Sequence, residues 1–390
     1  MSENKKLVPK RRFKEFQNAD AWEECELGEV VFVNSGRDYK HLSVGNIPVY
    51  GTGGYMLSVN NKLSDEDAVG IGRKGSIDNP QYLRAPFWTV DTLFFLTPKE
   101  EMNLRFFYAM AQGIKWRQFD ESTGVPSLSK VNIEKITKNF PKIEEQEIIG
   151  QFFKNLDQTI AFQQRKLEKM KSMKSAYLSE MFPAEGERKP KRRFPGFTDD
   201  WDQRELGELA SHRGGTAIEK YFSGNGKYKV ISIGSYGLDS KYVDQNIRAI
   251  SNNITKERIV NKGELAMVLN DKTSNGSIIG RSLLIDTDDE YVINQRTEII
   301  SPNENLNSSF AYVVLNGLFR EKVKKIVQGG TQIYVNYPAV EKMTLPLPNI
   351  DEQKALGEFF NTLDQTIAFQ QQKLEKLQNI KKAYLNELFI

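Results

Sequence analysis

The stretch Leu156–Lys169, LDQTIAFQQRKLEK, returns at Leu363–Lys376 as LDQTIAFQQQKLEK, with thirteen of its fourteen positions unchanged. The displacement, 363 − 156 = 207 residues, holds on both sides: Pro141–Ile160 matches Pro348–Ile367, and Lys174–Phe182 matches Lys381–Phe389. A second repeated block opens each half, beginning PKRRF at Pro9 and at Pro190; from Trp22 and Trp201 onward its shift is 201 − 22 = 179. The second middle is therefore longer by 207 − 179 = 28 residues, and the two middles barely align. Solenoid units repeat every 20–50 residues or so. A period of this size is that of a domain, and 390 residues suffice for more than one core. The chain is a tandem duplication: two domains with a common frame and different contents.

The shared ends read as helices. Residues 144–182 contain no proline, and Ile160, Gln163, Leu167, Met170, Lys174, Tyr177 and Met181 follow alternating steps of three and four. Ile367, Gln370, Leu374, Leu377, Lys381, Tyr384 and Leu388 repeat the pattern. This is the a/d rhythm of a coiled coil, in which polar members such as Gln163 and Gln370 fix register. Asp351 is expected to cap the second helix, and Gly150 and Gly357 to divide each segment into a short and a long helix. A helix of about 25 residues spans roughly 38 Å. Antiparallel packing of two would set their domains at opposite ends.

Both middles read as α+β. Ala68–Pro98 and Glu264–Pro302 carry short apolar runs between turn residues, the signature of strands. Leu104–Phe119 and Ser308–Val327 carry helical patterns. The expected fold class is thus α+β: two globular α+β domains separated by two long helices packed as an antiparallel coiled coil, pseudo-two-fold. The expected boundaries are 1–143, 144–183 (helix), 184–189 (linker), 190–350 and 351–390 (helix).

Other chemistry finds little support. The one cysteine, Cys25, allows no intrachain disulfide, which fits a reducing cytoplasm. The polar start MSENKK is no signal peptide, and no apolar run approaches a membrane span, so no membrane partner is expected. Net charge is only +3, with basic residues gathered in the two PKRRF runs and along Arg165–Lys174, which by composition read as solvated faces. Gly70–Gly75 fits G-x-G-x-x-G, but SIDNPQ follows where a dinucleotide site needs a helix start. Asn79-Pro80-Gln81-Tyr82 resembles the Asn-Pro-Pro-Tyr motif of amino-methylating DNA methyltransferases but lacks its second proline. His41 and His212 have no metal-ligand companions at usable spacing. No Walker A loop is present. No catalytic residue, metal or cofactor is expected.

The duplicated P-x-I-x-EQ…LDQTIAFQQ…KLEK…AYL ends and the paired W-x-x-x-x-L-G-E openings resemble the specificity (S) subunit of Type I restriction-modification systems. Ile47–Tyr55, Ile71–Ser76, Arg213–Thr216 and Gly329–Pro348 resemble smaller elements of its recognition domains. The resemblance covers nearly the whole chain. It implies two target-recognition domains, each reading one part of a split, asymmetric site on double-stranded DNA. It implies helices that set the gap and dock two methylating M subunits, with translocating R subunits joining, and a chain that is not itself a catalyst. Base edges are best distinguished in the major groove by Arg, Lys, Asn and Gln. The expected DNA-binding residues are therefore polar loop residues of the middles. They are Arg37, Tyr50, Thr52, Tyr55, Arg73, Lys74 and Ser76 in the first, and Arg213, Thr216, Asn270, Lys272, Thr273, Asn275, Gln332 and Tyr334 in the second. The expected helix-packing residues are Ile160, Leu167, Met170, Tyr177, Ile367, Leu374, Leu377 and Tyr384.

Overall fold

In the computed structural model, which describes residues 7–272 and 275–389, the shared ends form two long helices, Ile143–Glu180 and Ile350–Leu388. Each runs unbroken through its glycine, correcting the expected division at Gly150 and Gly357. A lone glycine costs a helix only about 1 kcal/mol. Here its bare Cα admits the N-terminus of another helix. A Cβ on Gly150 would lie 2.7 Å from Asn103 Oδ1 and 2.8 Å from the Phe106 nitrogen; on Gly357 it would lie 2.7 Å from Ser309 Cβ and 2.9 Å from the Phe310 nitrogen. Asn103 and Asn307 cap those incoming helices, Leu104–Gly113 and Ser308–Asn316, by accepting from the Phe106 and Phe310 N–H groups at 3.0 Å. Gly150→Ala should therefore destabilise: overpacking costs about 1–3 kcal/mol and outweighs the propensity gain of about 1 kcal/mol. A lowered thermal midpoint is the expected reading; a raised one would contradict the contact. The cap of the second long helix is also corrected. Asn349, not Asp351, accepts from the Glu352 N–H at 2.9 Å, and Asp351 lies in the first turn.

The chain forms two compact units, and neither is one continuous segment with its own whole helix. One comprises the residues up to Lys166 together with those from Gln370 onward; the other is Leu167–Phe369. Each unit thus contains the start of one long helix and the end of the other.

In the first unit, Glu23–Glu26 pairs antiparallel with Thr137–Phe140. A four-stranded antiparallel sheet has the order Val31–Ser35, Leu93–Pro98, Ala68–Gly72, Gln81–Leu83. A second sheet joins Gly54–Val59, Val44–Gly51 and Trp88–Thr89, the last pair parallel. In the second unit, Asp202–Glu205 pairs with Thr344–Leu347. Its first sheet runs Ala210–Gly214, Thr297–Pro302, Leu265–Val268, Ser282–Leu284. Its second runs Arg248–Ala249, Tyr228–Ile231, Tyr291–Ile293, Ile259–Val260, again with one parallel pair. The middles that barely align in sequence share the order of the four-stranded first sheet, and each second sheet holds an antiparallel pair with one parallel neighbour, to which the second unit adds Ile259–Val260.

Each core closes on the long helices. Trp22 packs edge-on to Phe106 and Phe389, and Trp201 to Phe182 and Phe310. The PKRRF runs, read from composition as solvated faces, are structural clamps. Arg12 grips Glu145 with two bonds of 2.8 and 2.6 Å, donates to the Ala19 and Asp20 carbonyls, and is almost wholly buried. The hydrogen bond to Glu145 raises the Arg12 pKa further above its ordinary value. Arg193 holds Glu352 in the same way at 2.6 and 2.7 Å. Next to each, Arg11 pairs with Glu387 and covers the Tyr384 ring, while Arg192 pairs with Glu180 and covers Tyr177. The glutamine after each gripped glutamate is buried too: Gln146 donates to the Pro141 carbonyl and Gln353 to the Pro348 carbonyl, both at 2.9 Å.

Within the first unit the two helix segments run antiparallel, as Phe152 meets Tyr384, Asp157 pairs with Lys381 at 2.6 Å, and buried Gln163 accepts from Gln370. Within the second, Tyr177 meets Phe359 and Lys174 pairs with Asp364 at 2.5 Å. Leu167 and Leu374 are buried, whereas Ile160, Met170, Tyr177, Ile367, Leu377 and Tyr384 are half-buried.

Candidate nucleic-acid interface

In the first unit the segment Trp88–Thr92 gathers most of the expected residues. The Arg37 N–H donates to the Thr89 carbonyl at 2.9 Å, and the Arg37 carbonyl accepts from Trp88 Nε1 at 2.8 Å. The Val90 N–H donates to the Tyr50 carbonyl at 3.0 Å, and the Arg73 and Lys74 N–H groups donate to the Thr92 carbonyl. Gln81 Nε2 donates to the Gly51 and Thr52 carbonyls, tying the hairpin tip to the main sheet. Tyr55 is exposed at that tip, edge-on to Tyr50 and within hydrogen-bond distance of Ser58. Arg73 lies over the Phe94 ring, and Arg37, Arg73, Lys74 and Ser76 are exposed. Close by, Tyr82 donates to Asp67 at 2.8 Å; burial first, and this bond second, push its pKa up to about 12, so its hydroxyl stays a donor at neutral pH.

The second unit builds a corresponding rim from different residues. The Gly215 N–H donates to the Thr297 carbonyl at 2.8 Å, and Ile218 N–H to Asn294 Oδ1 at 3.1 Å. Leu269 N–H donates to the Arg296 carbonyl and Val335 N–H to the Leu269 carbonyl, both at 2.9 Å. Asn270 stands opposite Tyr334 in a short antiparallel pair. Asn270, Lys272 and Gln332 line one polar cleft of about 320 Å³ with Asn294, Gln295 and Arg296. The close turn is shared: a Cβ on Gly36 would sit 2.0 Å from the Val90 carbonyl oxygen, and one on Gly215 2.0 Å from that of Asn294. Those glycines correspond under the 179-residue shift, since 36 + 179 = 215.

Other expected residues are placed elsewhere. Arg213 is held by Glu264 at 2.8 and 2.9 Å, and Thr216 accepts from Arg258 at 3.0 Å. Asn275 is exposed, with its side chain accepting from the Ser277 N–H, and Thr273 lies outside the described residues. Sequence reasoning missed Gln81 and Arg296. Gln81 falls inside a tetrapeptide weighed only as a methyltransferase motif, and Arg296 lies in no motif at all.

His212 reaches Glu298 through Nδ1 at 2.7 Å and Glu341 through Nε2 at 3.4 Å. Burial raises the Glu298 pKa, and the His212 bond opposes that shift. The two carboxylates address opposite ring nitrogens, and among the described residues no group of His, Cys, Asp or Glu is placed to hold a metal ion. Among them, too, no helix is long and apolar enough to cross a membrane.

Comparison with known proteins agrees with this duplicated architecture. The model of the Type I restriction modification DNA specificity domain matches twice, over residues 19–172 and 198–379. The Type I restriction enzyme MjaVIII specificity subunit of Methanocaldococcus jannaschii is 25% identical over 278 residues, 69% of this chain; the match spans 64% of that relative's length. The fold is similar to that of a Type I restriction-modification S subunit from M. genitalium, with a TM-score of 0.70 at 14% identity over 98% of this chain and 99% of the other. It is also similar to a chain from a structure addressing complex assembly and conformational transition of the type I R-M system. There the TM-score is 0.53 at 14% identity, over 94% and 97% of the two chains. Two matches to one domain model, together spanning most of the chain, place this chain in the Type I restriction modification DNA specificity domain family.

Proposed function

We propose that this chain is the DNA-reading specificity subunit of a Type I restriction-modification complex and has no catalytic role of its own. Each recognition domain, expected over 1–143 and 190–350, reads one part of a split, asymmetric site on double-stranded DNA. The long helices set the unread gap and dock two methylating M subunits, to which R subunits add. The observation that carries this reading is the pair of corresponding rims, built on one frame and lined by different polar side chains. A shared frame suits a shared backbone geometry, and different linings suit different base sequences.

The helices support the docking role through their outer face. Packing accounts for identity at buried positions such as Gln163 and Leu167. Yet Phe162 and Phe369, which correspond under the 207-residue shift, are 57% and 67% exposed, and the neighbouring Gln158, Lys166, Gln365 and Lys373 are exposed as well. Unchanged solvent-facing residues on both helices fit a partner that binds twice.

The test is to map methylated adenines genome-wide in cells carrying this chain with its M partner, before and after replacing residues 27–138 with the first middle of another family member. One half-site should change and the other persist. Simultaneous change of both would contradict independent reading, and absence of any split motif would contradict the function. The purified chain alone should transfer no methyl group to DNA from a labelled donor.

A further inference from the structure

We propose that Arg296 is the guanine-reading side chain of the second recognition domain, its guanidinium donating to O6 and N7 of one base in the major groove. The proposal rests on the DNA-specificity reading above.

The backbone supplies the first argument. Arg296 has φ +69°, a left-handed conformation that a bulky residue keeps only where its surroundings hold it, and such residues gather at functional sites. Here the surroundings do hold it. Its carbonyl accepts from Leu269 N–H, Asn294 N–H donates to the Ile231 carbonyl at 3.0 Å, and the Thr297 hydroxyl donates to the Asn294 carbonyl. The loop is tied at both ends to the sheets, so the side chain projects from a fixed base.

The charges supply the second argument. Most arginines of this domain are engaged within the fold: Arg213 with Glu264, Arg248 with Asp244, Arg258 with Glu257. Arg281 and Arg320 donate to backbone carbonyls. The exposed guanidinium of Arg296 has no hydrogen-bond or ion-pair partner among the described residues. Binding DNA through it breaks no internal pair. Recruiting Arg213 instead would strip Glu264 of its cation.

The cleft supplies the third. Arg296 shares it with Asn270, Lys272 and Gln332, all groups that donate to base edges or phosphates. Among the bases, guanine presents two adjacent major-groove acceptors, which match the fork of a guanidinium; a single ammonium such as that of Lys272 suits a phosphate better.

Two variants test the assignment. Arg296→Gly removes the side chain at a φ that glycine adopts freely, so folding is not challenged. Arg296→Gln replaces the donor pair that suits guanine by one donor and one acceptor, which suit N7 and the N6 amino group of adenine. Each chain is assembled with its M partner, its methylated motif is mapped, and binding is measured on duplexes altered one base pair at a time. Arg296→Gly should relax one G·C position of the second half-site, with about 10- to 100-fold loss of discrimination there. Arg296→Gln should turn that position toward adenine, and the first half-site should not move. An unchanged motif with unchanged affinity overturns the assignment. So does an equal loss on specific and random DNA with a salt slope shallower by about 0.9, which would mark a phosphate contact. Failure of the unaltered complex to select any split site would instead overturn the functional reading itself, a result visible before either variant is made.

Discussion

Arg12→Met is expected to destabilise the protein by about 3–5 kcal/mol, whereas Arg12→Met combined with Glu145→Leu should recover most of that loss. The two side chains are only 6% and 2% exposed. Removing the arginine strands a carboxylate where water cannot reach it, and the Ala19 and Asp20 carbonyls lose their donor as well. Removing both charges leaves apolar groups of similar volume, and such replacements of buried pairs are often close to neutral. Urea midpoints of the two variants are the measurement. Equal losses would show that the pair acts by shape rather than by charge compensation. The corresponding pair, Arg193 with Glu352, should behave alike, softened slightly because Arg193 is 13% exposed.

The second large effect belongs to the helix seam. Leu167→Asp together with Leu374→Asp places two carboxylates at positions 1% and 2% exposed, with no cation supplied for either. The cost is several kcal/mol, enough to open the seam. Loss of M-subunit docking and of binding to the full split site should follow, read as the mass of the assembled complex and its affinity for the intact site. A complex of unchanged mass and affinity would refute the seam's role. The buried bond between Gln163 and Gln370 gives a milder comparison, since polar seam residues specify register at a cost in stability.

The frame was legible in the sequence because it is written twice. Identity at one fixed displacement separates helix from loop without any propensity argument. The contents of the middles were legible as strands and helices, but the first-sheet order they share was not. Val31–Ser35 and Ala210–Gly214 take the same edge of equivalent sheets with few side chains in common. The glycines of the helices were misread for a local reason. Propensity prices Gly150 against its neighbours in sequence, whereas its value lies in Asn103 and Phe106, more than forty residues away along the chain. The PKRRF runs were misread for the same reason, since their partners Glu145 and Glu352 lie 133 and 159 residues off; the Glu264 partner of Arg213, 51 residues off, is equally invisible in the sequence. Charge alone cannot distinguish a solvated arginine from one that has found a distant carboxylate. Arg296 carried no signal of its own, because a left-handed backbone at an arginine is imposed by the surrounding sheets.

The first unit includes the end of the second long helix, and this sets an order of events in time. Trp22 rests against Phe389, and Arg11 pairs with Glu387. During synthesis, therefore, the first domain waits for its last wall until more than 200 further residues have been made, roughly 10–45 s at about 5–20 residues per second. Through that interval the aromatic side chains that Phe389 will cover lack their last neighbour. Tyr177, Glu180 and Phe182 are the same residue types that Tyr384, Glu387 and Phe389 will later bring. They close the second domain instead, where Phe182 meets Trp201 and Arg192 meets Glu180.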